Sequence, residues 1–159
     1  MVRTLGILAL KPRTSLIDGR LLIESNLYLQ RFTLGFLRTS IVVDPVAREF
    51  TFRKKGKLTR VILFEEVERL DYSYADTGIN TDSELFGSLD TIEWFTISLI
   101  LRETQEQVTL VRIVGEGSVD HGMLGALLGD GGVDYRGDQE EASQGLVRLL
   151  KAMTGLSLV

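Results

Sequence analysis

Between Ile41 and Val67 apolar residues alternate with polar ones, and two turn signals interrupt the alternation. A period of two belongs to a strand with one buried face, because successive side chains of a strand point to opposite sides of the sheet. Ile41-Val42-Val43 ends at the turn pair Asp44-Pro45. Phe50 and Phe52 then alternate with Glu49, Thr51 and Arg53 up to Gly56, and Val61 to Phe64 follows. Short alternating runs separated by such turns predict antiparallel hairpins.

The same criterion predicts seven strands: Leu27 to Phe36, Thr39 to Asp44, Arg48 to Lys54, Leu58 to Phe64, Val67 to Tyr74, Ile92 to Leu101 and Gln107 to Val114. In the sixth, Phe95, Ile97, Leu99 and Leu101 share one face, while Trp94, Thr96 and Ser98 share the other, which predicts a half-buried strand. The fourth is apolar on both faces and is therefore placed centrally in its sheet.

One amphipathic helix is predicted from Gln139 to Thr154. Asp138 is its expected cap, Glu141 completes a capping box and Gly155 supplies the left-handed stop. Ala142, Leu146, Leu149, Leu150 and Met153 form its apolar stripe. A lone helix of this length is marginal in water, so the stripe is expected to dock on an open barrel mouth. Ala75 to Thr91 reads as a long polar loop with one helical turn. The stretch from 115 to 137 holds eight of the sixteen glycines and reads as an insert, with Met123 to Leu128 as a short helix inside it.

A chain of 159 residues is one domain of ordinary size. The lack of cysteine removes thiol catalysis, thiolate metal sites and disulfides together, which fits a reducing, cytoplasmic setting. The apolar run within Met1 to Leu10 is too short to span a membrane and is read as part of the folded domain. A net charge of -4 argues against nucleic acid as a partner.

That charge is unevenly spread. From Val46 to Arg60 six cations accompany one carboxylate, a net +5, whereas from Glu65 to Glu93 nine carboxylates accompany Arg69 alone, a net -8. The molecule is expected to be bipolar.

Seven antiparallel strands followed by a C-terminal amphipathic helix, with Phe64-Glu65-Glu66-Val67 entering the fifth strand and Leu149-Leu150 to Gly155-Leu156 ending the chain, resemble the pleckstrin-homology-like barrel of bacterial type. The resemblance covers about Leu27 to Val159 and rests on the order and spacing of elements. The chain is read as a single domain over 1–159, with a barrel core at about 27–114, an insert at 115–137 and a capping helix at about 139–154; the segment before Leu27 and the insert are departures from the usual minimal barrel of the family. The resemblance implies a non-catalytic module that binds proteins, peptides or lipid headgroups.

The candidate anionic contact is the basic turn of Arg53, Lys54, Lys55 and Lys57, with Arg60 beyond it. Lipid-binding members of the family carry such cations near an open barrel end, commonly on the first hairpin, whereas here the turn joins the third and fourth predicted strands. The bland readings are a solvated hairpin tip that lysines guard against edge pairing, or a patch facing the acidic stretch. Each cation near an anionic membrane contributes about 1 kcal/mol, so five supply only a weak interaction without a second contact.

Other motifs carry less. His121 is the single histidine and sits among glycines, a poor setting for acid-base work or zinc. Asp130, Asp134 and Asp138 recur every four residues, unlike the alternate-residue ligands of a calcium loop. Arg136-Gly137-Asp138 matches an adhesion tripeptide at chance frequency. Gly115-Glu116-Gly117 lacks the third glycine of a dinucleotide loop. Tyr72, Tyr74 and Trp94 read as core or interface. The expected function is therefore a non-enzymatic interaction module without a cofactor or metal, whose partner is a protein, with a homo-oligomer admitted. Peripheral binding to anionic membrane and a small-molecule carrier with a barrel cavity are the alternatives.

Overall fold

The computed structural model describes residues 7–9, 12–25, 38–77, 81–83, 87–89, 92–114 and 138–159. The strands are β1 (Ile7–Ala9), β2 (Arg13–Ile17), β3 (Arg20–Glu24), β4 (Thr39–Asp44), β5 (Glu49–Lys54), β6 (Lys57–Leu63), β7 (Val67–Thr77), β8 (Thr81–Ser83), β9 (Gly87–Leu89), β10 (Ile92–Leu101) and β11 (Gln107–Val114). A single 3-10 turn (Phe64–Glu66) links β6 to β7, and helix α1 (Asp138–Thr154) follows β11.

Two main sheets result. One is a five-stranded antiparallel meander in the order β2-β3-β4-β5-β6. The other has the order β1-β11-β10-β7, with β7, β10 and β11 antiparallel and β1 parallel to β11. Seven strands were expected and eleven are described. No barrel-closing pairing between the two main sheets occurs among the described residues. The expected first strand, Leu27 to Phe36, and the insert at 115–137 lie outside the described residues.

The additional strands have local causes. Asp18 and Gly19 both adopt positive φ, 50° and 77°, the geometry of a two-residue turn that matches strand twist, and they fold β2 onto β3. Ala75 to Thr91 is not a plain loop. The β7–β10 ladder continues through Thr77 opposite Ile92, and β8 and β9 pair as a small hairpin beyond it. Ladder hydrogen bonds are backbone bonds, so a polar composition does not end them.

The fourth predicted strand, β6, is an edge strand among the described residues rather than a central one. Its alternation resolves once the pairing is known: Ile62 is buried, whereas Val61 and Leu63 are exposed. The polypeptide then leaves the sheet through the 3-10 turn, whose first free amide, Leu63 N, donates to Glu66 Oε2 at 2.6 Å.

The core is one cluster. Leu21 and Ile23 of β3, Ile41 and Val43 of β4, and Phe50 and Phe52 of β5 join Ile97 and Leu99 of β10, Val108 and Leu110 of β11, and Leu146, Val147 and Leu150 of α1. The helix packs on β10 and β11. Its buried stripe is rotated from the expected one: Ala142 is exposed, and Ser143, Val147 and Thr154 are buried instead. Hydrogen bonds permit the two hydroxyls there. Ser143 Oγ meets Tyr72 Oη at 2.8 Å, and Thr154 Oγ1 donates to the Leu150 carbonyl at 2.7 Å. Gly155 ends the helix at φ 70°, as expected, with its amide donating to the Lys151 carbonyl. The side chain of Asp138, the expected cap, lies outside the described residues. Past the helix, Leu70 N and Tyr72 N donate to the carbonyls of Ser157 and Val159, so the tail lines the outer edge of β7.

Candidate functional site

The basic turn forms because Lys55 and Gly56 take positive φ, 53° and 76°, and reverse the chain between Lys54 and Lys57, which face each other across the ladder. Two-residue turns of this hand suit the twist of the flanking strands. A lysine there accepts a left-handed conformation that glycine takes at less cost.

Not all six cations between Val46 and Arg60 belong to one surface. The Arg48 guanidinium lies 5.6 Å from the Phe64 ring centroid, over a ring that itself packs 4.9 Å from Phe50. Arg60 faces inward opposite Phe52, and its Nη1 and Nη2 donate to Glu106 Oε1 and Oε2 at 2.8 and 2.9 Å. This bidentate pair ties β6 of one sheet to the β10–β11 connection of the other. The Arg60 guanidinium beside Glu106 holds that carboxyl below its ordinary range. Arg53, Lys54, Lys55 and Lys57 remain together, exposed around the turn. The structure thus gathers four of the five predicted site residues and directs the fifth into a link between sheets.

A β-bulge between Phe52 and Arg53 sets this division. Arg53 opposes Leu58, while Phe52 opposes Arg60, and Thr59 is the extra residue, its Oγ1 donating to the Phe52 carbonyl at 3.0 Å. The bulge shifts the phase of β6. Leu58 therefore shares the outer face with Val61 and Leu63, next to Arg53, Thr51 and Glu49 of β5. Sequence reading did not find this apolar row, because strict alternation would set Leu58 and Val61 on opposite faces.

In the acidic stretch Glu66, Glu68 and Asp71 have partners of their own, while Glu65 is exposed. Glu68 bonds Arg69 at 2.9 Å and Gln105 at 2.6 Å, with the Gln105 amide the leading cause that lowers the Glu68 pKa. Asp71 accepts from Gln107 at 3.3 Å, and Glu66 caps the 3-10 turn.

Of the remaining candidates, Tyr72 stacks on Phe95 at 6.4 Å and reaches α1, Tyr74 tilts against Phe95 at 5.4 Å, and Arg112 sits 5.8 Å over Trp94. His121, Asp130, Asp134, Arg136-Gly137 and Gly115-Glu116-Gly117 lie outside the described residues. Among the described residues no three His, Cys, Asp or Glu side chains gather as a metal site. Among them, too, no helix is long and apolar enough to cross a membrane. Comparison of the chain with family models, with curated proteins and with solved structures finds no match.

Proposed function

We propose that the chain is a non-catalytic interaction module that engages an acidic surface of a partner protein through Arg53, Lys54, Lys55 and Lys57. The observation that carries this reading is the separation of the cations. Arg48 and Arg60 are turned to Phe64 and Glu106, while the other four are exposed around one two-residue turn. Four exposed cations gathered in this way concentrate positive potential that attracts an acidic surface.

The pleckstrin-homology-like resemblance belongs to the same proposal. Leaving aside β1, β2 and the β8–β9 hairpin, the order is four meandering strands (β3 to β6), three more (β7, β10, β11) and α1. That sequence of elements supports kinship with the family. The parallel β1 is a departure from it.

Titration of the native chain with a poly-glutamate peptide and with vesicles containing anionic phospholipid, each at low and high salt, tests the reading. The expected result is binding to the peptide that weakens steeply with salt, and weaker retention on vesicles. Binding confined to vesicles would replace the protein partner by a membrane, and binding to neither would remove the charged turn as a site.

A further inference from the structure

We infer that the outer edge of β6 is a self-association surface, on which a second copy of this chain adds its own β6 antiparallel. Among the described residues β6 pairs with β5 alone, and it is the last strand of its sheet. An edge strand offers backbone N–H and C=O groups to another strand; on β6 the Leu63 amide is already donated to Glu66 Oε2, so pairing with a second copy draws on the remaining groups.

The side chains along this edge favour a copy of itself. Leu58, Val61 and Leu63 are 61%, 41% and 38% exposed, and the bulge places all three on the outer face. With the bulged Thr59 looped out of the count, an antiparallel second β6 centred on Val61 sets Val61 against the second copy's Val61. Leu58 then meets the second copy's Leu63, and Leu63 its Leu58. Every aliphatic of the row meets an aliphatic, the kind of cross-strand pair that stabilises a sheet.

Charge selects the same direction. Lys57 begins β6 and Glu65 and Glu66 follow its end. The antiparallel arrangement brings each basic end towards the other copy's acidic end, whereas a parallel one would stack like charges. Arg60 is on the inner face with Glu106 and is not displaced. The surface shares Lys57 with the basic turn, but its apolar row of Leu58, Val61 and Leu63 is no part of that turn, so the Val61 variants test it apart from any binding to an acidic protein. Two copies related in this way form an isologous pair with one continuous ten-stranded sheet.

Sedimentation equilibrium of the native chain and of Val61→Lys, Val61→Ile and Lys57→Glu tests the inference. A single edge strand is a small interface, so the native chain should dimerise at roughly micromolar concentration or above. Val61→Lys sets two lysines together on the two-fold axis and should raise the dissociation constant at least about tenfold, while Val61→Ile leaves it unchanged. Lys57→Glu should weaken the dimer, and mixing it with Glu65→Lys should restore association as a heterodimer, because both ends of the mixed pair regain opposite charges. A native chain that stays monomeric up to about 1 mM overturns the inference. So does a dimer whose constant ignores Val61→Lys. A circular dichroism melt of each variant verifies that the monomer is folded.

Discussion

β5 is flanked by two turns of opposite character, four residues before it and two after it. At the start, Asp44 is buried and fully engaged. Its Oδ1 accepts from the amides of Val46 and Ala47, each at 2.9 Å, and its Oδ2 from Arg20 Nε at 2.6 Å. At the other end the side chains of Lys54, Lys55 and Lys57 stand in solvent. One turn uses its charge to hold three strands in register. The other is held by its backbone, through the positive φ of Lys55 and Gly56 and the Lys55 amide donating to the Arg38 carbonyl at 2.8 Å, with its lysine side chains exposed. The contrast shows that charge content does not by itself mark a site; what matters is whether the backbone already uses the charge.

Four predictions bear on this difference. The largest effect belongs to the strand joining the two turns: Phe52→Ala removes a fully buried ring from the core and should cost about 3 to 5 kcal/mol in chemical denaturation. A smaller loss would mean that β5 is less firmly packed than its burial implies. Asp44→Asn comes second. The backbone amide of Ala47, followed by that of Val46 and by Arg20, lowers the Asp44 pKa. A carboxyl lowered on folding stabilises the native state above its unfolded value of about 4, and the contribution disappears as pH falls through the lowered folded value. Asp44→Asn should therefore reduce the melting temperature at neutral pH and flatten its decline in acid, and an unaltered acid limb would remove Asp44 from the account.

Third, Glu106→Gln breaks the bidentate pair with Arg60 and should cost about 1 kcal/mol, since both side chains remain partly exposed. A denaturation midpoint equal to that of the parent would show that the two sheets do not need this link. Last and smallest is Lys54→Glu with Lys55→Glu, which should leave the melting temperature nearly unchanged. A marked drop would put the basic turn in the same class as the Asp44 turn.

The parts of the fold that could be read from the chain are those whose apolar period coincides with burial. Ile41 and Val43, and Phe50 and Phe52, are buried as their alternation predicts, and α1 stops at Gly155 as its sequence indicates. In β10 Phe95, Ile97 and Leu99 are buried, but so are Thr96 and Ser98, so the strand expected to be half-buried is covered on both faces. The β2–β3 hairpin had a legible signal, Asp18-Gly19 between two short runs, but its strands are short and β2 is exposed along most of its length. The rotated stripe of α1 could not be read from hydrophobicity, because Ser143 and Thr154 are accepted in the core through hydrogen bonds that only tertiary structure supplies. The site was legible as a run of cations between two strands. Its division between Arg60 and the other four was not, since the bulge that turns Arg60 inward and Leu58 outward leaves no mark on composition.

The most direct test is to measure the Lys54→Glu, Lys55→Glu chain twice, once for thermal unfolding and once for binding to poly-glutamate at low salt. Unchanged unfolding with binding lost is the result predicted by the proposal that these cations serve recognition and not the fold. Unchanged binding, or binding lost only together with the native melting transition, would contradict the proposal that the turn is a site.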